Sequence, residues 1–264
     1  MSYSDVDDMG GHQDEYSDDD DGNLAIYRRR EALINLLRCG HHIRTVPSND
    51  KHGVSFDFDL TRPLQVGNRR WAQVWEAVTY DFDGDYQTLV VKLFIDSLFP
   101  TPESQGFDMA GTWTAARLRD SESWAYNALS DLQGGLLPVS GGFYEFDLGL
   151  GERACGHVME LIDGRRLERD WETFGQPQWH TLEASREREA RMVKFMVMVS
   201  ELHKRGVVHN DLKPSNVIVP DHDPGSFVFL DFAIAKSIQH PNFKNNREED
   251  LLCMKTMHLE QPSV

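Results

Sequence analysis

Cysteine is scarce in this chain, and what there is makes no pattern. Cys39, Cys155 and Cys253 lie far apart with no CxxC or CxxH spacing, so no zinc site is indicated, and an odd, unpaired set fits a reducing compartment. No run of about 18 apolar residues occurs, which excludes a helix that spans a membrane. Positive charge is short as well: 27 Lys and Arg stand against 43 Asp and Glu, a net charge of −16. That balance argues against nonspecific binding to nucleic acid and against adhesion to an anionic membrane. The deficit is steepest at the N-terminus, where residues 1–21 hold nine acids and neither Lys nor Arg. A stretch of that kind cannot serve as a signal peptide. The expectation is a soluble intracellular protein, cytoplasmic with the nucleus left open.

With 264 residues, 40% of them hydrophobic, the chain can build one large domain or two lobes around a cleft. Residues 1–22 cannot bury enough apolar surface to offset ordering entropy and are expected to be a disordered acidic tail. Ser4 and Ser17 each precede acids, a context that acidophilic kinases favour, although a solubilising tail is the plainer reading. Leu24–Arg38 spaces Ile26, Leu33, Ile34, Leu36 and Leu37 as an amphipathic helix. With the linker that follows (residues 23–55 together), it is read as lying outside the core domain. Its basic triplet Arg28-Arg29-Arg30 either neutralises the acidic tail or forms a solvated face.

Strand patterns dominate from Phe56 to Phe99. Leu60–Val66 and Trp71–Tyr80 read as a hairpin around Gly67-Asn68, and Gln87–Ile95 follows the turn signal Asp81–Asp85. Thr114–Leu132 reads as a helix, and Leu136–Phe146 and Arg153–Leu161 as two more strands. After Gly164 the pattern is mainly helical. Leu182–Lys204 is a long helix with Val193, Met196, Val197, Ser200 and Leu202 near one face and Gly206 as its C-cap.

The chemistry concentrates in Val207-Val208-His209-Asn210-Asp211-Leu212-Lys213-Pro214-Ser215-Asn216-Val217-Ile218-Val219, which sets an Asp, a Lys and an Asn on one short loop between apolar runs. A second acid, Asp231, follows the apolar run Phe227–Leu230. This set can hold a metal-bound polyphosphate and steer a hydroxyl towards it. Asp211 is the candidate catalytic base, and Lys213 would neutralise charge on the transferring group. The Asn216 amide oxygen and the Asp231 carboxylate suit the hard cation Mg²⁺. Singly, Asp and Asn are ordinary turn residues. Jointly, with Leu202-His203-Lys204-Arg205-Gly206 upstream, they exceed that reading.

Lys92 sits inside Leu89-Val90-Val91-Lys92-Leu93-Phe94-Ile95 and needs either an anionic partner or, as an edge-strand lysine, a route to water. Glu122 has Ala125, Leu129 and Leu132 at helical spacings beside it and could reach Lys92; Asp120 competes from a worse phase.

The loop resembles the protein-kinase catalytic loop H-R-D-L-K-x-x-N, and Asp231-Phe232-Ala233 resembles the D-F-G that follows it. The resemblance covers about residues 56–260 and is nearest to small divergent kinase-like proteins of the fungal type. It implies an α+β, bilobal protein-kinase-like fold, with an antiparallel small lobe over residues 56–163 and an abbreviated helical large lobe over residues 164–264. It further implies ATP and Mg²⁺ in the cleft, with Lys92 gripping the α- and β-phosphates and Glu122 as its partner. Gly67 and Val74 would belong to the glycine-rich roof and Val90 would lie above adenine. Met159 would be the gatekeeper, with the backbone of Glu160 and Leu161 reading the base.

Several departures qualify that likeness. Arg69 and Ala72 replace two glycines of G-x-G-x-x-G-x-V, so side chains obstruct close approach to phosphates. Asn210 replaces the Arg that binds an activation-loop phosphate, Ala233 replaces the Gly of D-F-G, and Val90 stands where the family has a small Ala. Only Phe232–Glu249 separates Asp231 from Asp250, with no A-P-E, and the resemblance makes Asp250 the anchor of the catalytic-loop backbone. The expected function is transfer of the ATP γ-phosphoryl group to a hydroxyl, on Ser/Thr of proteins as D-L-K-P-S-N suggests. The short activation segment instead favours a small-molecule acceptor, and the degenerate glycine loop favours a pseudokinase that acts as a binding module. No nucleic-acid or membrane partner is expected; a protein partner could complete the large lobe.

Overall fold

The computed structural model describes residues 19–47, 55–67, 70–80, 85–99, 113–169, 181–240 and 250. The tail at 1–18, the turn at 81–84 and the stretch 241–249 named above lie outside the described residues. Among the described residues no helix is long and apolar enough to cross a membrane.

The first helix, α1, runs Asp19–Leu36 and so begins inside the segment expected to be disordered. It is also not separate from the core. Leu33 and Leu37, four apart on one face, are buried in the same cluster as Phe58, Trp75 and Phe146. The basic triplet is used on that docking surface. Arg29 bonds Glu152, and Arg30 donates to the Phe99 carbonyl.

Strands β1 (His42–Thr45), β2 (Asp57–Gln65), β3 (Gln73–Tyr80), β4 (Tyr86–Phe94), β5 (Ser140–Gly149) and β6 (Glu152–Glu160) close into an antiparallel barrel in the order β1-β2-β3-β4-β6-β5. The three strands, helix and two strands read from the sequence are all there. The surprise is β1, drawn from residues expected to be linker: its Arg44 pairs with Asp57 on one side and with Asp147 on the other. Closure removes the free edges that an open sheet would present. Pro63 is tolerated because it falls where β2 breaks register. The result is a mixed α/β arrangement with antiparallel strands, dominated by a closed barrel rather than by a clear division into two lobes.

Helix α2 (Ala115–Ala128) lies against the barrel. Thr114 caps it, accepting from the Arg117 N–H at 3.2 Å. Its buried stripe is Ala115, Leu118, Glu122, Ala125 and Tyr126, so a single carboxylate interrupts an apolar face.

In the C-terminal half, α3 runs Leu182–Lys204, and Gly206 follows it with φ of 80°. The residues read as one face divide: Leu202 is buried with Phe195 and Val199, whereas Val193, Met196 and Val197 are exposed. Both sets have helical spacing, so periodicity alone could not choose between two apolar stripes on one helix. Short strands β7 (Gly164–Arg166), β9 (Val217–Pro220) and β10 (Val228–Phe229) form one small sheet, and β8 (Val207–Val208) pairs with β11 (Lys236–Ser237).

Candidate active site

A cleft of about 580 Å³ opens between the barrel and this C-terminal half. Val74, Val90, Lys92, Met159, Glu160 and Leu161 line it from the barrel, and Asn216, Leu230 and Asp231 from the other side.

Lys92 is the central charge. It sits on β4 between Val74 of β3 and His157 of β6, directly paired with both. Its residue is only 4% exposed, so the ammonium has little water to meet. Instead Nζ lies 2.5 Å from Glu122 Oε2 and 2.6 Å from Asp231 Oδ1. Burial opposes the charge, but the carboxylates of Asp231 and Glu122 outweigh it and hold the Lys92 pKa above its usual value. The same balance, read from the acids, leaves Glu122 and Asp231 below the ordinary carboxylate range despite burial, because Lys92 stands beside each.

The second oxygen of Glu122 has its own partner. His157 Nδ1 is 2.9 Å from Oε1, and Nε2 is 2.9 Å from Ser140 Oγ. The ring stacks on Phe143 at 4.0 Å and meets Tyr126 edge-on at 4.5 Å. Burial pushes the His157 pKa down in spite of Glu122. This residue was missed in the sequence. Its signal was a lone polar side chain in the apolar run Gly156-His157-Val158-Met159, in register with Lys92. Gly156 beside it has no room for a Cβ, which would lie 2.6 Å from the Phe146 ring and 2.9 Å from the Lys92 carbonyl.

The loop after β8 is sewn down from several directions. Val207, Val208, Val217 and Val219 are fully buried on either side of it. The Asp250 carboxylate accepts from the backbone N–H groups of His209 and Asn210 at 3.0 and 2.9 Å, and from His203 Nε2 at 3.0 Å. His209 Nε2 contacts the Leu230 carbonyl at 2.8 Å, and the Asp211 N–H donates to Nδ1 at 3.3 Å, so Nε2 is the donor and Nδ1 the acceptor. Asn210 has φ of 65°, a left-handed conformation that Asn accepts more readily than most residues.

Within the loop, Asp211 Oδ2 takes both Lys213 Nζ at 2.7 Å and Asn216 Nδ2 at 2.9 Å. Tying the amide nitrogen down in this way aims the Asn216 amide oxygen elsewhere. Asp231 adjoins Asn216 because the Leu230 N–H donates to the Asn216 carbonyl at 2.8 Å. Asp231 has φ of 65°, again left-handed. Ring contacts run from His209 to Phe232 (4.6 Å), Tyr126 (5.9 Å) and Phe143 (6.3 Å), so one aromatic column ties the loop to α2 and the barrel.

Two residues of the expected site have backbone groups that already have partners. Gly67 does not line the cleft, and its N–H and carbonyl are both held by the Gln73 amide, at 2.8 and 3.0 Å. A tethered N–H is not free to meet a phosphate. The Glu160 N–H is donated to the Val139 carbonyl at 2.9 Å, which removes it from the groups available to read a base.

Asp231 and Asn216 offer two oxygen ligands. Among the described residues no group of three or more His, Cys, Asp or Glu is placed to hold a metal. A sparse all-oxygen set fits Mg²⁺, which keeps several waters and shares its sphere with phosphates, better than a structural zinc site.

No family model matches the chain. Local similarity to protein kinases is clear. The chain is 48% identical over 60 residues to ribosomal protein S6 kinase 2 alpha of Xenopus laevis, covering 21% of this chain and 8% of that protein. It is 45% identical over 60 residues to ribosomal protein S6 kinase alpha-3 of Homo sapiens, with the same two coverages. It is also 42% identical over 53 residues to dual specificity protein kinase Ttk of Danio rerio, covering 20% and 5%. The likeness is thus kinase-like over about a fifth of this chain, and the matched stretch spans less than a tenth of each of these relatives.

Proposed function

We propose that this protein is an ATP- and Mg²⁺-dependent phosphotransferase of the protein-kinase type, acting on a hydroxyl acceptor, with Ser/Thr side chains of proteins as the acceptor class. The observation that carries the reading is Lys92, bonded at once to Glu122 and Asp231 at the back of a cleft whose far wall carries Asn216. Few other tasks call for a buried lysine that is charged, immobilised and facing a cavity. The two-lobe division of the kinase type, small lobe 56–163 and large lobe 164–264, belongs to this proposal, as does an intracellular setting.

The chain's own groups divide the work. Lys92 receives the α- and β-phosphates. Asp231, whose Oδ1 is on Lys92, and the Asn216 amide oxygen would hold the cation. Mg²⁺ held there would shield the negative charge of the triphosphate. Val74 and Val90 cover the adenine ring, Met159 closes the back of its pocket, and Leu161 with the Glu160 carbonyl meets its edge. Asp211 orients the acceptor hydroxyl and takes its proton, and Lys213 leaves Asp211 to meet charge developing on the transferred group. The exposed stripe Val193, Met196 and Val197 on α3 supports a large lobe completed by further helices or by a protein partner.

One observation favours a second reading, a pseudokinase: Gln73 occupies the backbone N–H of Gly67, the one glycine of the roof motif that the chain keeps. Transfer of labelled γ-phosphate to protein and small-molecule acceptors tests the choice. Incorporation by the wild type and its loss in Asp211→Ala, with Mg·ATP binding retained, is the expected result. Nucleotide binding without transfer to any acceptor would favour the pseudokinase, and undiminished transfer by Asp211→Ala would remove that residue from the mechanism.

A further inference from the structure

His157 is a buried titratable side chain that the mechanism above does not use. It is fully buried, on a strand whose neighbours at Val158 and Met159 are apolar. Its tautomer follows from its partners. Glu122 is held ionised beside Lys92 and can only accept, so Nδ1 carries the proton and donates to Oε1. Nε2 is then an acceptor, filled by the Ser140 hydroxyl, which in turn accepts from the Gly142 N–H at 3.2 Å. The charged and titratable groups around the ring are Glu122 and Tyr126 from α2 and Lys92 from β4.

Lys92 and His157 are direct cross-strand neighbours, and they take one oxygen each of the same carboxylate. A lysine alone is a point charge on a flexible stem and fixes a distance, not an orientation. A second donor on the adjacent strand fixes the rotation of the Glu122 carboxylate, and so the direction from which Oε2 draws Lys92. We infer that His157 is a positioning residue for nucleotide binding: it locks Glu122, through Oε1, in the orientation that presents Lys92 to the cleft. The ring does not line the cleft. Its effect on nucleotide affinity rests on the phosphotransferase reading; its hold on Glu122 does not.

The test uses the full chain as wild type, His157→Phe, His157→Gln, Glu122→Ala and the double variant His157→Phe/Glu122→Ala. Calorimetry reads the Kd for Mg·ATP, and NMR reads the titration of the Glu122 carboxyl without nucleotide. His157→Phe fills the aromatic slot but removes the donor, and should weaken Mg·ATP about tenfold, the scale of one charge-assisted hydrogen bond. His157→Gln keeps an N–H donor and should recover most of that loss. In the Glu122→Ala background His157→Phe should add nothing, and the Glu122 titration should move up in His157→Phe. Unchanged Kd in both His157 variants overturns the proposal, as does an equal loss with and without Glu122. If His157→Phe does not fold, His157→Gln against Glu122→Ala carries the comparison. If the wild type binds no Mg·ATP, the phosphotransferase reading falls, and the Glu122 titration alone decides whether His157 holds that carboxylate.

Discussion

Lys92 and Lys213 each hold a carboxylate at hydrogen-bonding distance, 2.5 Å to Glu122 and 2.7 Å to Asp211, yet the two pairs behave differently. The Lys92 and Glu122 side chains are 5% and 1% exposed; those of Lys213 and Asp211 are 49% and 32% exposed. The buried pair is cross-braced by Asp231 and His157, and removing a member strands a charge out of water. The open pair shares its charge with solvent and can change partners at small cost. Contact length alone therefore says little. Burial separates a fixture from a movable part, and the proposed chemistry needs both: a lysine that stays, and a carboxylate that can be given up to a substrate.

Four experiments break or sharpen that contrast. The largest effect is expected at the open site, and on rate alone: Asp211→Ala should lower γ-phosphate transfer about 10³-fold, the usual worth of a general base, while leaving the melting temperature near that of the wild type. Next is Lys92→Met, which takes the common cation from buried Glu122 and partly exposed Asp231. Urea unfolding should show a loss of about 3 kcal/mol, within the range for breaking a buried ion pair.

Acid comes third. His157 is depressed from an ordinary value of 6.5, Glu122 from 4.5 and Asp231 from 3.8. In each case the unfolded chain binds protons more readily, so stability is fully present above the unfolded value and is lost as pH falls. Stability should therefore start to decline below about pH 6.5, first through His157 and then through the carboxylates. His157→Phe should delete the first step and keep the second. Lys92 has the opposite sign: its raised pKa gives stability that holds below 10.5 and fades in strong alkali. The smallest effect is Lys213→Ala, expected to shift stability by about 0.5 kcal/mol or less, since its pair is half-exposed. A drop as large as that of Lys92→Met would end the contrast.

Much of the site was legible because it is local. The loop from Val207 to Val219 combines turn residues with flanking valines, and the strand around Lys92 shows a charge where a charge needs a reason. The contact of Asp250 with the loop N–H groups was implied by the resemblance to the kinase catalytic loop, not by its spacing. What escaped was set by tertiary pairing. β1 reads as linker because four residues carry no periodic signal of their own, and only its pairing with β2 and β5 makes it a strand. The core face of α3 was ambiguous because apolar residues cover two stripes, and partners decide between them. His157 shows only as a lone polar residue in an apolar run until β4 and β6 come into register and set it beside Lys92. Gly67 reads as a phosphate-loop glycine until the Gln73 side chain is seen to occupy it.

The most direct test of the central claim is the shift in melting temperature caused by ATP, with and without Mg²⁺, in the wild type and in Lys92→Met. The account predicts a stabilisation that grows with nucleotide concentration as linkage requires, is larger with Mg²⁺, and is largely lost in Lys92→Met. No shift in the wild type under either condition, or an equal shift in Lys92→Met, would contradict it.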